Sequence, residues 1–505
     1  MYVDRISKGF IYIIVLNILQ FVIGLAFYSI AAKILVPADL GIISTLTFIY
    51  SIFVVAVPLA LPVAGTKYVA EFVGRNELEK ASNVASTVLK LVLEISSIFL
   101  VISCLGSFFI LSRFYSMSNA LVFLILTFIT SFVAEIRLTH LALLQGLQRF
   151  DKFVISNSCS IIISRLAALI MILLGSGLTG FAVGTLCGEM FGLALSIIYY
   201  HGLLPRAKAS YESKLLFKFS LPVYTSTVST VFLEWADRIL LLAISLDLSA
   251  LGVYELVLKG IGVISVIWAT IDVIILPVFS EAYGQMGGAK LTSLLKKALR
   301  YLALMFFPAA LGLAAISKSV MVLLFGWQYA NGSLPLAILS IFSIITAFNI
   351  IMGSTLKSIG ETKFFIYTSL FSIITDSFLV ITLAPSYNVF GAIAGRIASS
   401  IITFIYTSNK LRSRIRVDVD FGGLWKSLLA SLLVVAVLGL FENFYVTSLV
   451  SPLIVAVEIG LGLLSYILGL ALLRALNVED FQLLRQIMPK SLSKVLTLFE
   501  KLFIH

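Results

Sequence analysis

From Val231 to Leu240 the chain reads Val-Phe-Leu-Glu-Trp-Ala-Asp-Arg-Ile-Leu, so Glu234, Asp237 and Arg238 stand in the middle of an otherwise apolar stretch, 221–246. That stretch is long enough to cross a bilayer, which takes roughly 20 mostly apolar residues. Ionised groups at such depth are costly and persist where they meet a partner or a water-filled cavity. The next apolar stretch carries Glu255 and Lys259. Arg238 lies eight residues before Leu246 and Lys259 eight after Leu251, which puts both ~12 Å from the same end of antiparallel helices at 1.5 Å per residue. Two cations at one level could hold phosphate oxygens, arginine through its planar fork. The plainer reading is neutralisation within each helix, since Glu234 precedes Arg238 and Glu255 precedes Lys259 by four residues, the favourable spacing for an ion pair.

Other polar residues fall inside apolar stretches. Arg165 and Glu189 sit on neighbouring segments at compatible depth, as do Asp376 and Arg396 further on. Each hairpin thus holds one cation and one anion, read as a structural salt bridge or as part of a cavity. Asn17 and Gln20 in the first segment are further cavity candidates, while Glu135, Arg137 and His140 stand near a helix end, where side chains can snorkel. Gly180, Gly184, Gly188 and Gly192 recur every four residues, answered by Gly391, Gly395, Ser399 and Thr403. Such a face lets helices approach closely in lipid and is read as packing.

These residues need a frame of membrane helices, and the composition supplies it. The 505 residues are 60% hydrophobic and 12% charged, with mean hydropathy +1.09, which no soluble core of ordinary composition accommodates. The expected fold is an all-α polytopic membrane protein. Apolar spans near 10–34, 42–63, 88–111, 120–144, 154–174, 178–200, 221–246, 251–277, 298–324, 333–356, 364–384, 389–409, 426–445 and 450–473 give about fourteen helices. The net charge of +11 reflects lysines and arginines in alternate connections and the tail. The exceptions are Lys33, Arg113 and Lys318 at the opposite ends, and Arg137, Arg165, Arg238, Lys259 and Arg396 within spans. By the positive-inside rule both termini are expected in the cytoplasm of a multi-pass plasma membrane protein, with no nucleic-acid partner.

Several classes are excluded. The connections on the outer side, 35–41, 175–180, 246–249 and 385–388, are too short to form a catalytic domain. The longer cytoplasmic connections, such as 67–90 and 201–218, hold no Gly-rich phosphate loop and no metal-ligand spacing. Cys104, Cys159 and Cys187 lie inside apolar segments and offer neither a disulfide framework nor a metal site. Neither a membrane glycosyltransferase nor an ATP-driven pump is expected, and no cofactor or metal.

The chain repeats itself at an offset of 211 residues. Leu40-Gly41 recurs as Leu251-Gly252, Gly180 and Gly184 as Gly391 and Gly395, and Leu144 to Gln148 resembles Leu356 to Gly360 within one or two residues of that offset. Six helices make a unit that is used twice, in the same orientation, about a pseudo-twofold along the membrane normal with a cleft between. The expected organisation is a six-helix lobe at 1–204, a second at 205–416, two extra helices at 417–475, and a basic amphipathic tail at 476–505 interrupted by Pro489.

Ala31-Ala32-Lys33-Ile34-Leu35 leading to Asp39-Leu40-Gly41, Asp237-Arg238 followed by Leu251-Gly252-Val253-Tyr254, and the repeated glycine pairs resemble the polysaccharide-transport branch of the multidrug/oligosaccharidyl-lipid/polysaccharide exporter superfamily. The similarity covers nearly the whole chain and lies in the order and spacing of short motifs. It implies a flippase that moves a polyprenyl phosphate- or diphosphate-linked oligosaccharide from the cytoplasmic to the external leaflet by alternating access. It also implies membrane lipids and glycan-assembly enzymes as partners, a monomer, and a lipid-tail groove along helices thirteen and fourteen. On that expectation the headgroup meets Arg238 and Lys259, with Glu234, Glu255, Asn17 and Gln20 around it. Relatives suggest a cation site, for Na+ or H+, from acids on the seventh and eleventh helices, here Asp237 and Asp376. Arg396 departs from that pattern, since a fixed cation there can take the place of sodium. The alternative is a cation-coupled drug or metabolite exporter of the same superfamily, whose amphipathic cations the two basic groups would repel.

Overall fold

A computed structural model describes residues 18–114, 120–361, 363–445, 450–477 and 480, and the regular structure among them is helical throughout. Asn17 and the amphipathic stretch after 480 lie outside the described residues. The helices are α1 (Ile18–Ala31), α2 (Pro37–Ala56), α3 (Leu61–Gly74), α4 (Leu78–Phe114), α5 (Ala120–Gly146), α6 (Phe150–Met171), α7 (Gly177–Tyr200), α8 (Ser213–Ser245), α9 (Leu248–Ala315), α10 (Ser317–Phe325), α11 (Ser333–Ser358), α12 (Phe364–Tyr387), α13 (Val389–Arg412), α14 (Phe421–Tyr445) and α15 (Pro452–Leu472). Eleven helical stretches among the described residues are long and apolar enough to cross a membrane. One of them, Phe150–Tyr200, contains both α6 and α7. The protein is a multi-pass membrane protein. α8 is 33 residues long but is not among the eleven, having Glu234, Asp237 and Arg238 in its apolar centre.

The charged connection 67–90 is largely helical. α3 and α4 run through most of it, joined by a turn at Arg75–Glu77. Pro58 and Pro62 explain the break before α3. Leu59 and Ala60 take left-handed backbone (φ 50° and 54°), and Pro62 lies in the first turn of α3, where its missing N–H costs no helix bond. At 37 residues α4 is ~55 Å long by the helical rise, well beyond a hydrocarbon core of ~30 Å.

The chain divides into two compact units, Met1–Ile239 with Asp247–Gly252, and Leu240–Leu246 with Val253–His505. In the first, Leu61, Ala64, Val69 and Phe72 of α3 pack with Ala81, Val84, Val88 and Val92 of α4, Leu143 of α5 and Leu216 of α8. In the second, Ser427 Oγ on α14 donates to the Ala303 carbonyl, and Tyr466 Oη on α15 donates to that of Leu304. These bonds tie the last two helices to α9. On the same hairpin, Ser319 Oγ of α10 lies 2.9 Å from Glu458 and 3.3 Å from Glu442. Beyond α15, Asp480 accepts from Arg300 Nη2 at 2.7 Å and Tyr301 Oη at 2.9 Å, which docks the start of the tail on α9.

The sequence offset has a backbone counterpart. α6 turns into α7 through Gly177 at φ 49°, ψ −129°, and α12 into α13 through Asn388, 211 residues later, at φ 50°, ψ −121°. After α5, the amides of Gln148 and Arg149 bond the carbonyls of Gln145 and Leu144; after α11, those of Gly360 and Glu361 bond Lys357 and Leu356. The starts of α2 and α9 meet within the first unit in a reciprocal way. A Cβ on Gly41 would strike the Leu248 carbonyl, and one on Gly252 the Pro37 carbonyl, each contact being the other shifted by 211.

Candidate functional site

The first unit holds an open-mouthed cavity of about 260 Å³, lined by Gln20 of α1, Thr47 and Tyr50 of α2, Thr130 and Arg137 of α5, Asn157 and Arg165 of α6, and Phe181, Thr185 and Glu189 of α7, among others. The lining is built from the glycine row outward. Gly184, Gly188 and Gly192 bring α7 so close to α6 that a Cβ on them would meet Ala168, Ser164 and Ser160. Ser160 Oγ donates to the Gly188 carbonyl at 2.8 Å and Ser156 Oγ to that of Gly192 at 3.1 Å. The polar face of α6 and the acid on α7 are thereby brought to one side of the pair.

Glu189 does not pair with Arg165, the partner expected from the hairpin. Its carboxylate takes Arg137 Nε at 2.5 Å and Nη2 at 3.3 Å, and Tyr50 Oη donates to it at 3.0 Å. Arg137 Nη1 completes the set by donating to Asn157 Oδ1 at 2.8 Å. The reason is steric. A Cβ on Gly192 would lie 2.7 Å from Arg137 Cδ, so the last glycine of the row opens the path by which an α5 side chain reaches α7. Arg137 is therefore a buried member of the cavity, 5% exposed, and not a snorkelling residue at a helix end. Depth along one helix says nothing of which face a side chain takes, and Gly192 within reach of a second arginine was the available signal.

Arg165 is held differently. Its guanidinium carbon lies 4.9 Å from the Phe27 ring centre and 5.9 Å from that of Phe181, and its Nη1 is buried without a hydrogen-bond partner. Cation–π contact uses no N–H group, so the guanidinium keeps its hydrogen-bond donors.

The other sequence-predicted residues that the structure describes do not line this cavity. On α8, in the first unit, Trp235 packs on Phe48 of α2 with centroids 5.7 Å apart, and Arg238 lies over the indole at 4.2 Å. Asp237 is 1% exposed, and its Oδ1 accepts the Arg238 amide; Glu234 is exposed. On α9, in the second unit, Lys259 Nζ pairs with Glu255 Oε1 at 2.8 Å, the intrahelical pair that the four-residue spacing allows. The pair is lopsided, with the Glu255 side chain 2% exposed and that of Lys259 35%. On α12 Asp376 is buried, its carboxylate against Gly395 of α13, and Arg396 next to that glycine is half-buried. Of the residues named from the sequence, then, Gln20, Arg137, Arg165 and Glu189 line one cavity.

Comparison with known proteins gives one result at three levels. The sequence profile described as polysaccharide biosynthesis protein matches residues 30–334. A Haloferax volcanii protein, "Probable low-salt glycan biosynthesis flippase Agl15", is 21% identical over 279 residues, 55% of this chain and 58% of that protein, so the match spans little more than half of the relative. Among solved structures, lipid II flippase MurJ in an inward closed conformation superposes with a TM-score of 0.69 at 15% identity, over 91% of this chain and 97% of the other. An inward-facing multidrug resistance MATE transporter of the MOP superfamily gives 0.63 at 15%, over 78% and 95%. At such identity the structural matches speak for the fold alone.

Proposed function

The chain belongs to the polysaccharide biosynthesis protein family, in the polysaccharide-transport branch of the multidrug/oligosaccharidyl-lipid/polysaccharide exporter superfamily, and from that premise we propose that it flips a lipid-linked oligosaccharide from the cytoplasmic to the external leaflet. The carrier is a polyprenyl phosphate or diphosphate. The observation that carries this reading is the lopsided pair on α9, in which the acid is turned inward and the ammonium of Lys259 outward. Burying the acid while leaving the ammonium half-exposed keeps a positive charge where an anionic group can reach it. A helix that meets an anionic headgroup keeps its cation at the surface, and Arg238 on α8, braced against Trp235, offers a second one.

On this reading fourteen spans make the protein, since the eleven apolar stretches gain one where Phe150–Tyr200 is two helices, one for α1 and one for α8. They form two six-helix lobes plus α14 and α15, with both termini in the cytoplasm of the plasma membrane, and work by alternating access without catalysis. Asp237 and Asp376, both buried, are the acids at which Na+ or H+ could couple to transport. The substrate and membrane lipids are the partners in the bilayer, glycan-assembly enzymes those at its surface, and the working form is a monomer. The cavity of the first unit has two arginines against one glutamate, a balance that suits anions and not the organic cations of a drug exporter.

The test is the double variant Arg238→Glu with Lys259→Glu. It should reach the membrane in normal amount yet leave lipid-linked glycan on the cytoplasmic side, read as protection of the sugar from an external glycan-cleaving enzyme in spheroplasts. Restoration of surface glycan by that variant in flippase-deficient cells would sink the headgroup assignment.

A further inference from the structure

We propose that the cavity of the first unit is a binding site for one oxyanion carried on a hydroxylated ring, the carboxylate or phosphate of an acidic sugar, and that Arg165 is the residue that takes the anion. The proposal rests on the glycan substrate proposed above and goes beyond it, because it requires the cargo to carry an acidic group of its own.

Charge is the first argument. Three ionised side chains line the cavity, Arg137, Glu189 and Arg165. The first two neutralise each other through two hydrogen bonds, with Tyr50 and Asn157 satisfying what remains. Arg165 makes no ion pair and no hydrogen bond with any described residue, and its Nη1 is sealed from solvent. A buried polar atom without a partner is rare in proteins and asks for an account; for a cation within a membrane helix the natural counterpart is an anion.

Geometry is the second. Phe27 and Phe181 flank the guanidinium, with ring centres 4.9 and 5.9 Å from its carbon, which reduces the rotamer freedom to be lost on binding. The guanidinium also carries N–H donors besides the covered Nη1, and a pair of such donors matches two oxygens of a carboxylate or phosphate.

The lining is the third. Thr47, Thr130 and Thr185 give their hydroxyl protons to carbonyls of their own helices and so present acceptor oxygens to sugar hydroxyls, while Ser164 and Gln20 add a hydroxyl and an amide. About 260 Å³ lies just below the ~300–1,000 Å³ common for ligand pockets, room for one sugar ring.

The full-length protein in nanodiscs, probed by saturation-transfer NMR with glucuronate, glucose and inorganic phosphate, tests this without transport. We expect transfer to glucuronate and none to glucose, with phosphate competing for the site. Arg165→Gln should weaken glucuronate by about tenfold or more, the scale of losing a charge-assisted pair, and Arg165→Lys by less. Thr185→Val keeps the charge and should weaken glucuronate while sparing phosphate, which covers the case in which Arg165→Gln does not fold. Equal transfer to glucose and glucuronate, or an Arg165→Gln protein that binds as the parent does, overturns the proposal. Binding of phosphate alone overturns the sugar assignment and leaves a site for the carrier's headgroup. A protein that binds glucuronate but flips nothing contradicts the flippase reading and leaves this site standing.

Discussion

Arg137 and Glu189 are 5% and 12% exposed and bonded twice, so the two ways of removing them should differ sharply. Glu189→Gln leaves a buried guanidinium half-satisfied, and losing one partner of such a pair costs about 3–5 kcal/mol. Replacing both, as Arg137→Met with Glu189→Leu, removes the charge together with its counter-charge and should be nearer neutral. Thermal unfolding of the detergent-solubilised protein is expected to rank the parent and the double variant together, above Glu189→Gln. A Glu189→Gln protein as stable as the parent would mean that the pair is not held as described. At this scale the sequence was partly readable. Counting depth along helices put Arg165 and Glu189 at one level, and both line one cavity; Gln20, expected beside Arg238 and Lys259, lines that cavity instead. It assigned Glu189 the wrong arginine, because depth fixes a residue's level in the membrane but not its direction around the helix. Tyr50 and Asn157 carried no charge to draw attention and were missed.

Helices were easier to read than contacts, since an apolar run of membrane length has few other fates. Every apolar run counted in the sequence overlaps a described helix. The charged connection at 67–90 is largely helical: lysine, glutamate and arginine are good helix formers, and α3 and α4 run through most of it. The turn between α12 and α13 shows how a repeated element survives a change of residue. Asn388 adopts the backbone that Gly177 adopts in the first copy, a left-handed φ that glycine takes freely and asparagine tolerates. Asn388→Gly should therefore hold or raise stability, whereas the β-branched Asn388→Val should lower it by about 1–3 kcal/mol. Unfolding midpoints of the two variants decide it, and a Val variant no worse than the Gly one would show that the turn imposes no constraint.

In the whole molecule the duplication is most visible where the two copies of one motif touch. Gly41 faces the carbonyl of Leu248 and Gly252 that of Pro37, so each glycine is needed for the same close crossing of α2 and α9. Gly41→Ala and Gly252→Ala should each destabilise the protein, because the atoms in the way are backbone and cannot swing aside. The double variant should be little worse than either single one, since the first substitution already opens the crossing. Additive losses in a double-mutant cycle of unfolding midpoints would mean two independent contacts. The motif Leu-Gly was legible as a repeat; that its copies meet was not, because an offset in sequence has no direction in space. The crossing also bears on how the polypeptide is made. Asp247–Gly252 belongs with the first unit although Leu240–Leu246 does not, so a nascent chain leaving the ribosome cannot close its amino-terminal half until codon 252 has been translated. A gene cut to express the halves separately belongs after that codon, not at the loop before α8.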